Sequence, residues 1–240
     1  MNDKTEKGDQ PTTKTAQEAV AWAVERFHPA LALASSFSLE DVVLAHMLVT
    51  LRSDARIFAL DTGRLNEETY ECAEALRYRL DARIEWYFPD RTAVEKLERE
   101  KGLFSFRDSV EARQECCFIR KVEPLRRALT GLQAWITGQR REQSVTRTAL
   151  QVIETDVAHS GIIKINPLAD WTLEQVRLYV REHNLPYNRL YDQGYASIGC
   201  APCTRAIAPG EEQRAGRWWW ENPEHKECGL HTRGRHAKKV

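Results

Sequence analysis

The chain has 240 residues, of which 42% are apolar and 29% are charged, as in a globular protein with one substantial core. Thirty-five basic and thirty-five acidic side chains cancel, so no global field favours nucleic acid or an anionic membrane. No apolar run is long enough to span a membrane, and the polar start of the chain is unlike a signal peptide. We therefore predict a cytoplasmic protein whose six cysteines stay reduced.

Segments with the periodicity of helices and strands alternate along the chain. We expect residues 1–13 to form a disordered tail. Apolar spacing predicts helices over residues 14–27, 39–51, 66–80 and 92–100, one that ends at residue 129, and one over 172–183 capped by Asp170. Short apolar runs predict strands over residues 30–34, 56–60, 84–88, 134–137 and 162–165. This alternation predicts a parallel sheet with crossover helices.

Polar turns follow the first two predicted strands. Residues 35–41 place serine hydroxyls at the start of a helix, where they form either an anion site or an ordinary N-cap, with nothing here to favour one. The turn at residues 61–64, Asp-Thr-Gly-Arg, ends the second strand. Open α/β sheets bind ligands at that carboxyl edge, so both turns are candidate binding segments.

Arginines concentrate in two later segments. The loop over residues 138–147 carries Arg140, Arg141 and Arg147, which suit a phosphate or sulfate better than an ordinary turn. The segment over 209–220 carries two more arginines and three consecutive tryptophans. We expect the tryptophans to pack against the domain or a neighbouring subunit rather than to hold a cofactor.

Four of the six cysteines occur in two pairs. Cys200 and Cys203 lie two residues apart on a loop with Gly and Pro, and Cys116 and Cys117 are adjacent. A Cys-x-x-Cys pair alone fits a redox dithiol, half a zinc site or half an iron–sulfur site. Four thiolates in two pairs can hold one metal centre. Adjacent cysteines fit a zinc hairpin poorly, so the pattern favours an iron–sulfur cluster over zinc.

Three further residues need separate interpretation, two of them with an alternative. Lys121 follows Cys117 by one helical turn, so its ammonium faces the metal site or is simply solvated. Cys228 has His231 three residues on, and a lone cysteine in that setting is either inert or an activated nucleophile. Cys72 lies inside a predicted helix, outside both pairs, and we expect it to be a packing residue.

In combination these motifs resemble the assimilatory adenosine 5′-phosphosulfate (APS) reductases of bacteria. The resemblance rests on the adjacent cysteines, on Ser-Ile-Gly-Cys-Ala-Pro-Cys at 197–203, on Leu-Asp-Thr-Gly-Arg at 60–64 and on Glu-Cys-Gly-Leu-His at 227–231. It covers most of the chain after about residue 30. It implies a doubly wound, mostly parallel α/β domain of the adenine-nucleotide α-hydrolase type over residues 14–205, and a mobile segment over 206–240 that delivers the nucleophile.

The resemblance also implies a reaction and a set of site residues. The Cys228 thiolate attacks the sulfur of APS, AMP leaves, and reduced thioredoxin releases sulfite from the enzyme S-sulfonate. Further catalytic roles are expected for His231 and Lys121. A [4Fe–4S] cluster with an electrostatic and structural role is expected on Cys116, Cys117, Cys200 and Cys203. The expected substrate contacts are Ser35, Ser36, Ser38, Leu60, Asp61, Thr62, Gly63, Arg64, Arg140, Arg141, Arg147, Arg214 and Arg217. We expect a homo-oligomer.

Three alternatives stay open. A reductase acting on the 3′-phosphorylated nucleotide (PAPS) is the nearest, and sulfite release from the two nucleotides distinguishes it. An ATP-dependent tRNA-thiolation enzyme shares the fold but needs a Gly-Gly phosphate loop and a basic excess, both of which this sequence lacks. A zinc-binding interaction module is the third, and a brown colour of the protein purified without oxygen would exclude it.

Overall fold

Seven α-helices and six strands form the chain in a computed structural model that describes residues 15–144 and 147–222. The helices are α1 Ala16–Phe27, α2 Leu39–Leu51, α3 Glu67–Leu80, α4 Arg91–Lys101, α5 Val110–Cys117, α6 Glu123–Leu129 and α7 Leu173–Glu182. The strands are β1 Leu31–Ser35, β2 Arg56–Leu60, β3 Ile84–Tyr87, β4 Ala134–Ile136, β5 Ile153–Asp156 and β6 Ile162–Ile165. A π-helical turn, Phe118–Val122, joins α5 to α6.

The strands form one sheet in the order β3-β2-β1-β4-β6-β5. All neighbouring strands are parallel except β5 and β6, which are antiparallel. From β1 the chain winds outward through β2 and β3, and it then returns to β4 on the other side of β1. The carboxyl ends of β1 and β4 therefore form the topological switch point where such sheets bind ligands. The predicted doubly wound, mostly parallel sheet is confirmed.

Both faces of the sheet are covered. On one face Leu33, Ile57 and Ile136 belong to a core shared with α1, α2 and α7. On the other face Phe58 and Trp135 pack with the buried residues of α6. Strands covered on both faces are apolar throughout, and this explains why short apolar runs located β1, β2 and β4 correctly.

The sequence reasoning missed helix α5 and one strand, and it misplaced one cap. Strand β5 reads Ile-Glu-Thr-Asp and buries one of its four residues, so no apolar run marks it; it lies at the sheet edge. The predicted Asp170 cap of the helix at 172–183 is wrong. Thr172 caps α7 instead, because its hydroxyl accepts from the Gln175 N–H while the Gln175 side chain accepts from the Thr172 N–H.

A third cluster of buried side chains lies around the four paired cysteines. Phe106 and Trp218, each 1% exposed, pack there with the thiols, and Trp220 packs against them. Cys72 is buried in α3 away from this cluster, as predicted. In the described ranges no helix combines the length and apolar character needed to cross a bilayer.

We predict that Thr172→Ala lowers the free energy of unfolding by about 1 kcal/mol, because it removes the hydroxyl that caps α7. Thr172→Ser should keep most of that stability, since it retains the hydroxyl. Urea denaturation of the two variants and the parent protein measures the difference. Equal stability of Thr172→Ala and the parent would contradict the assigned cap.

Candidate active site

A cavity of about 220 Å³ opens at the switch point. We call it the switch-point cavity. Its polar wall includes Ser35, Ser36 and Ser38 after β1 and residues 137–139 after β4. Its other end is apolar and is lined by Ala34, Phe58, Leu60, Leu125 and Trp135. One end of the cavity therefore suits a flat apolar group, and the polar wall suits a charged or hydroxylated one.

The serine turn is held by its own hydrogen bonds. The Ser36 N–H and hydroxyl both donate to Asp41 Oδ2 at 2.7 Å, and Ser38 Oγ accepts from the Asp41 N–H. Phe37 has a left-handed backbone (φ 59°), and its buried ring packs 5.5 Å from that of Trp86. Ser38 is thus the N-cap of α2, and the turn is fixed in place beside the cavity.

Asp41 lies where α2 meets the end of β4. Burial raises the pKa of its carboxyl to about 6, against the hydrogen bonds from Ser36, which lower it. A Cβ at Gly138 would collide with Asp41 Oδ1 and would lie 2.9 Å from Glu40 Cβ. A glycine is therefore needed at 138 for close approach of α2 to the β4 end.

Four basic side chains line the switch-point cavity: Lys121, Arg147, Arg214 and Arg217. The lining carboxylates are those of Glu40 and Asp41. Glu40 is already neutralised, because its Oε1 lies 2.8 Å from Nε of the fully buried Arg140. The charge offered to a ligand is therefore mainly positive, although the chain as a whole has a formal net charge of zero.

Arg217 is fixed in the wall with part of its hydrogen-bonding capacity unused. It is 6% exposed, donates to Ser197 Oγ and the Ile198 carbonyl, and lies over the Trp218 ring. Its Nε has no hydrogen-bond partner. A Cβ at Gly199 would lie 2.6 Å from the guanidinium carbon, so the glycine leaves space for this arginine.

The four paired cysteines line one small cavity, here called the thiol cavity. Helix α5 supplies Cys116 and Cys117, and the turn Ala201–Cys203 and its preceding residue supply the other two. Burial raises the pKa of the Cys203 thiol to about 12 and also raises that of Cys116. As placed, no group of three or more His, Cys, Asp or Glu side chains in residues 15–144 and 147–222 could hold a metal ion.

The walls of the thiol cavity are strongly cationic. Its lining cations are Arg64, Arg113, Arg120, Lys121 and Arg217. Two carboxylates oppose them: Glu221 pairs with Arg113, and Glu98 pairs with Arg64 and Arg120. The buried side-chain nitrogens of Arg120 Nε, Arg217 Nε and Trp218 Nε1 also lack hydrogen-bond partners. This combination of four thiols, excess positive charge and unpartnered donors fits an anionic thiolate-held group.

Lys121 and Arg217 line both cavities. The π-helical turn that follows the adjacent cysteines carries Lys121. Arg217 belongs to a segment bound to the second cysteine pair, because Thr204 and Arg217 form an antiparallel bridge and the Trp218 N–H donates to the Cys203 carbonyl. The two cavities are therefore neighbours joined by two cations.

Several residues expected to contact substrate lie elsewhere. Arg140 pairs with Glu40 and Glu142, and Arg141 pairs with Asp170. Neither arginine lines the switch-point cavity. Both arginines stabilise the loop through ion pairs. The number of arginines in a loop cannot distinguish this role from ligand binding.

The turn after β2 divides its residues between structure and site. Leu60 and Thr62 line the switch-point cavity, and Arg64 lines the thiol cavity instead. Asp61 accepts from the Tyr70 hydroxyl and the Gly63 N–H, and Gly63 has a φ of 69°. These two residues shape the turn and line neither cavity.

Cys228 and His231 lie outside the described residues, so their expected roles stay predictions. Conversely, sequence reasoning did not single out Gln139 or Trp135, which line the switch-point cavity. Their position in and directly after β4 was a usable signal, because residues at the carboxyl edge next to a switch point face the ligand site.

Comparison with known proteins identifies the family. Residues 30–206 match the model of the phosphoadenosine phosphosulfate reductase domain. The chain is 52% identical over 223 residues to the adenosine 5′-phosphosulfate reductase of Allochromatium vinosum, covering 93% of this chain and 87% of that protein. The phosphoadenylyl-sulfate reductase of Candida auris, solved as a phosphate complex, superposes with a TM-score of 0.68 at 32% identity, covering 80% of this chain and 90% of that one. In fold alone, the FMN adenylyltransferase of Candida glabrata is similar, with a TM-score of 0.56 at 15% identity, covering 89% of this chain and 72% of that one.

The raised pKa of Asp41 predicts a pH-dependent stability. Its usual value is 3.8 and its value in the folded protein is about 6, so the folded state binds this proton more tightly than the unfolded state. The neutral carboxyl therefore favours folding at low pH, and this contribution is lost as the pH rises from about 4 through about 6.

Between about pH 4.5 and about pH 7, the parent protein should lose about 2 kcal/mol more unfolding free energy than Asp41→Asn, which does not titrate. Chemical denaturation of both proteins at the two pH values measures this difference. The same pH dependence in both would show that Asp41 has no raised pKa.

Proposed function

The chain belongs to the phosphoadenosine phosphosulfate reductase family, and we propose that it reduces adenosine 5′-phosphosulfate (APS) to sulfite and AMP in assimilatory sulfate reduction. One observation carries the proposal most directly. A cationic cavity at the switch point and a cavity lined by four cysteines share Lys121 and Arg217. The 52% identity to an enzyme named for this substrate supports the same activity.

The switch-point cavity suits the parts of APS. The adenine would occupy the apolar end beside Leu125 and Trp135, and the phosphosulfate would face the basic wall. Lys121, Arg147, Arg214 and Arg217 then bind the two negative charges, with donors from the serine turn. Arg140, Arg141 and Asp61 support the loops instead, because their contacts are with protein groups.

PAPS is the alternative substrate. It differs from APS by a phosphate on the ribose 3′ position, and the relative of Candida auris is named for it. The two pairs of cysteines in this chain favour APS. Comparing sulfite release from APS and PAPS at equal concentration decides between them.

The thiol cavity is the proposed site of a [4Fe–4S] cluster held by Cys116, Cys117, Cys200 and Cys203. The fit rests on the four cysteines that line this cavity and on the excess of cations and unpartnered N–H donors around them. Bound there, the cluster would supply fixed charge and would connect α5 to the C-terminal segment. It would not need to donate electrons, because the reducing electrons come from thiols.

In the proposed reaction the Cys228 thiolate attacks the sulfur of APS. The bond from that sulfur to the phosphate oxygen breaks, AMP takes the electron pair, and an S-sulfonate forms on Cys228. One thiolate of a reduced thioredoxin then attacks the Cys228 sulfur and releases sulfite. The second thioredoxin thiol opens the resulting mixed disulfide, so thioredoxin leaves oxidised and Cys228 is regenerated.

The basic residues make this attack possible electrostatically. A thiolate that approaches a sulfate group meets negative charge, and further charge develops on the departing phosphate. Lys121 and Arg217 lie between the two cavities, where they would screen both charges in a buried site. His231, three residues from Cys228, is the proposed partner of the thiol.

Covalent geometry limits where the nucleophile can act. Six peptide units separate Asn222, the last described residue, from Cys228, which is a reach of roughly 20 Å at most. The chain before Asn222 is held at the thiol cavity by the buried pair of Arg113 and Glu221. Cys228 can therefore act only within that distance of Asn222.

We further propose that the protein is a cytoplasmic homo-oligomer that binds neither nucleic acid nor membrane.

Substitution of individual cysteines separates the nucleophile from the metal site. Cys228→Ser should abolish sulfite release and leave the iron content and AMP binding unchanged. Cys200→Ser should lose both iron and activity, because three thiolates hold a cubane cluster poorly. Cys72→Ala is the matched control and should retain both, since Cys72 packs in the main core.

Iron analysis, AMP titration and a sulfite assay on each variant provide the measurements. More than a few per cent of the parent activity in Cys228→Ser would remove it as the nucleophile. Full iron in Cys200→Ser would exclude the four-cysteine assignment.

A second prediction concerns the arginine shared by the two cavities. In the Cys228→Ser background, Arg217→Ala should weaken APS binding tenfold to hundredfold, through loss of a charge-assisted hydrogen bond worth about 1.5–3 kcal/mol. Gly199→Ala should weaken it as well, because the added Cβ displaces the guanidinium. Isothermal titration measures both.

Arg205→Ala is the control for this measurement. Arg205 lies on the same segment but pairs with Glu211 and does not line either cavity. Its removal should change the APS dissociation constant less than about twofold, the effect of an ordinary surface substitution. A dissociation constant unchanged by Arg217→Ala would remove this residue from the substrate site.

A further inference from the structure

Unpartnered buried atoms in this protein are almost all of one kind. In residues 15–144 and 147–222, six buried side-chain nitrogen or oxygen atoms have no hydrogen-bond partner. Five are nitrogens that belong to Arg120, Arg140, Arg217, Trp218 and Trp220. The sixth is Oε1 of Gln139, an acceptor. The unpartnered nitrogens are donors and would bind a ligand group that accepts hydrogen bonds. Gln139 Oε1 is an acceptor and would bind a ligand group that donates one.

Gln139 is placed to contact a ligand. It is 5% exposed, follows β4 by three residues at the switch point, and lines the switch-point cavity. A buried acceptor without a partner is costly, so such a group is expected to meet a donor in the working state of the protein.

Neighbouring polar groups do not supply that donor. The Thr137 hydroxyl donates to Asn166 Oδ1. The Gln143 amide nitrogen donates to Glu40, and the Gln143 amide oxygen accepts from the Arg140 N–H. The Thr137 hydroxyl and the Gln143 amide are thus satisfied within the protein, and the unpartnered nitrogen of Arg140 makes no hydrogen bond to Gln139.

The chemistry of the proposed substrate identifies the missing donor. The phosphosulfate of APS offers acceptors alone, and so do the ring nitrogens of adenine. The donors of APS are the exocyclic amine and the two ribose hydroxyls, all in the nucleoside half. We propose that Gln139 recognises the nucleoside half of the substrate by accepting a hydrogen bond from one of these groups. This inference rests on the proposed nucleotide substrate and names a specificity residue within that site.

The test removes the acceptor and varies the donor. Gln139→Met keeps the length of the side chain and removes its amide. The dissociation constant for AMP should rise about tenfold, which corresponds to about 1.4 kcal/mol. Binding of inorganic sulfate should change less than twofold. Gln133→Met makes the same chemical change at an exposed position outside the cavity and should bind AMP like the parent.

Three AMP analogues identify the group that is read. Inosine 5′-monophosphate lacks the exocyclic amine, and the 2′-deoxy and 3′-deoxy forms of AMP each lack one hydroxyl. The analogue without the group read by Gln139 should bind the parent protein about tenfold more weakly than AMP. The same analogue should bind Gln139→Met and the parent with equal affinity, within about twofold.

Each outcome decides the matter. An equal loss for AMP and all three analogues, or no loss for AMP, overturns the inference while the proposed function stands. A parent protein that does not bind AMP overturns the proposed function, and the inference fails with it.

If Gln139→Met does not fold, Gln139→Glu replaces it, because glutamate retains an acceptor at the same position. Uncharged adenosine is then compared with inosine and the two deoxyadenosines. The parent's preference should persist in Gln139→Glu, and its loss would overturn the inference.

Discussion

The site depends on keeping positive charge buried between two cavities. Arg217 is 6% exposed, has one nitrogen without a partner, and shares with Lys121 the wall that separates the switch-point cavity from four cysteines. A buried cation without a matching anion is strongly unfavourable. The fold can accept it here because both neighbouring cavities are cationic and suit anions, which we propose to be a phosphosulfate on one side and a thiolate-held cluster on the other.

Two other buried arginines, Arg140 and Arg113, hold parts of the fold together. Arg140 is fully buried against Glu40, and Arg113 forms a two-point pair with Glu221. Buried pairs of this kind add little net stability, but removing one partner is severely destabilising, so they fix the relative position of segments. The first holds the loop after β4 against α2, and the second holds residues 218–221 against α5. These two ion pairs are neutral overall, and they hold in position the segments that carry the basic residues of the two cavities.

Periodicity predicted the central strands and the helices other than α5, because apolar runs and helical spacing depend on burial against a sheet covered on both faces. It missed β5, a largely polar edge strand.

Sequence reasoning located the residues of the candidate site less completely than it located the elements of the fold. The paired cysteines and the serine turn follow from spacing and local chain geometry. Nothing in the local sequence distinguishes Arg140 from Arg217. In the structure Arg140 forms an ion pair with Glu40, whereas Arg217 lines both cavities. Pairings between residues far apart in the chain cannot be read from local pattern.

The polarity of the unpartnered atoms carries information that composition does not. Arg120 Nε, Arg217 Nε and Trp218 Nε1 are nitrogens that line the thiol cavity or both cavities, whereas Gln139 Oε1 is an acceptor that lines the switch-point cavity alone. Arg120 and Trp218 line the thiol cavity alone, so a ligand of the switch-point cavity has to satisfy Arg217 Nε and Gln139 Oε1. Such a ligand would be anionic on the side of the cysteines and would present a neutral donor toward the end of β4. A bare phosphate or sulfate meets the first requirement and fails the second. A nucleoside bearing an anionic 5′ group meets both, so the orphaned atoms favour a nucleotide over a free anion.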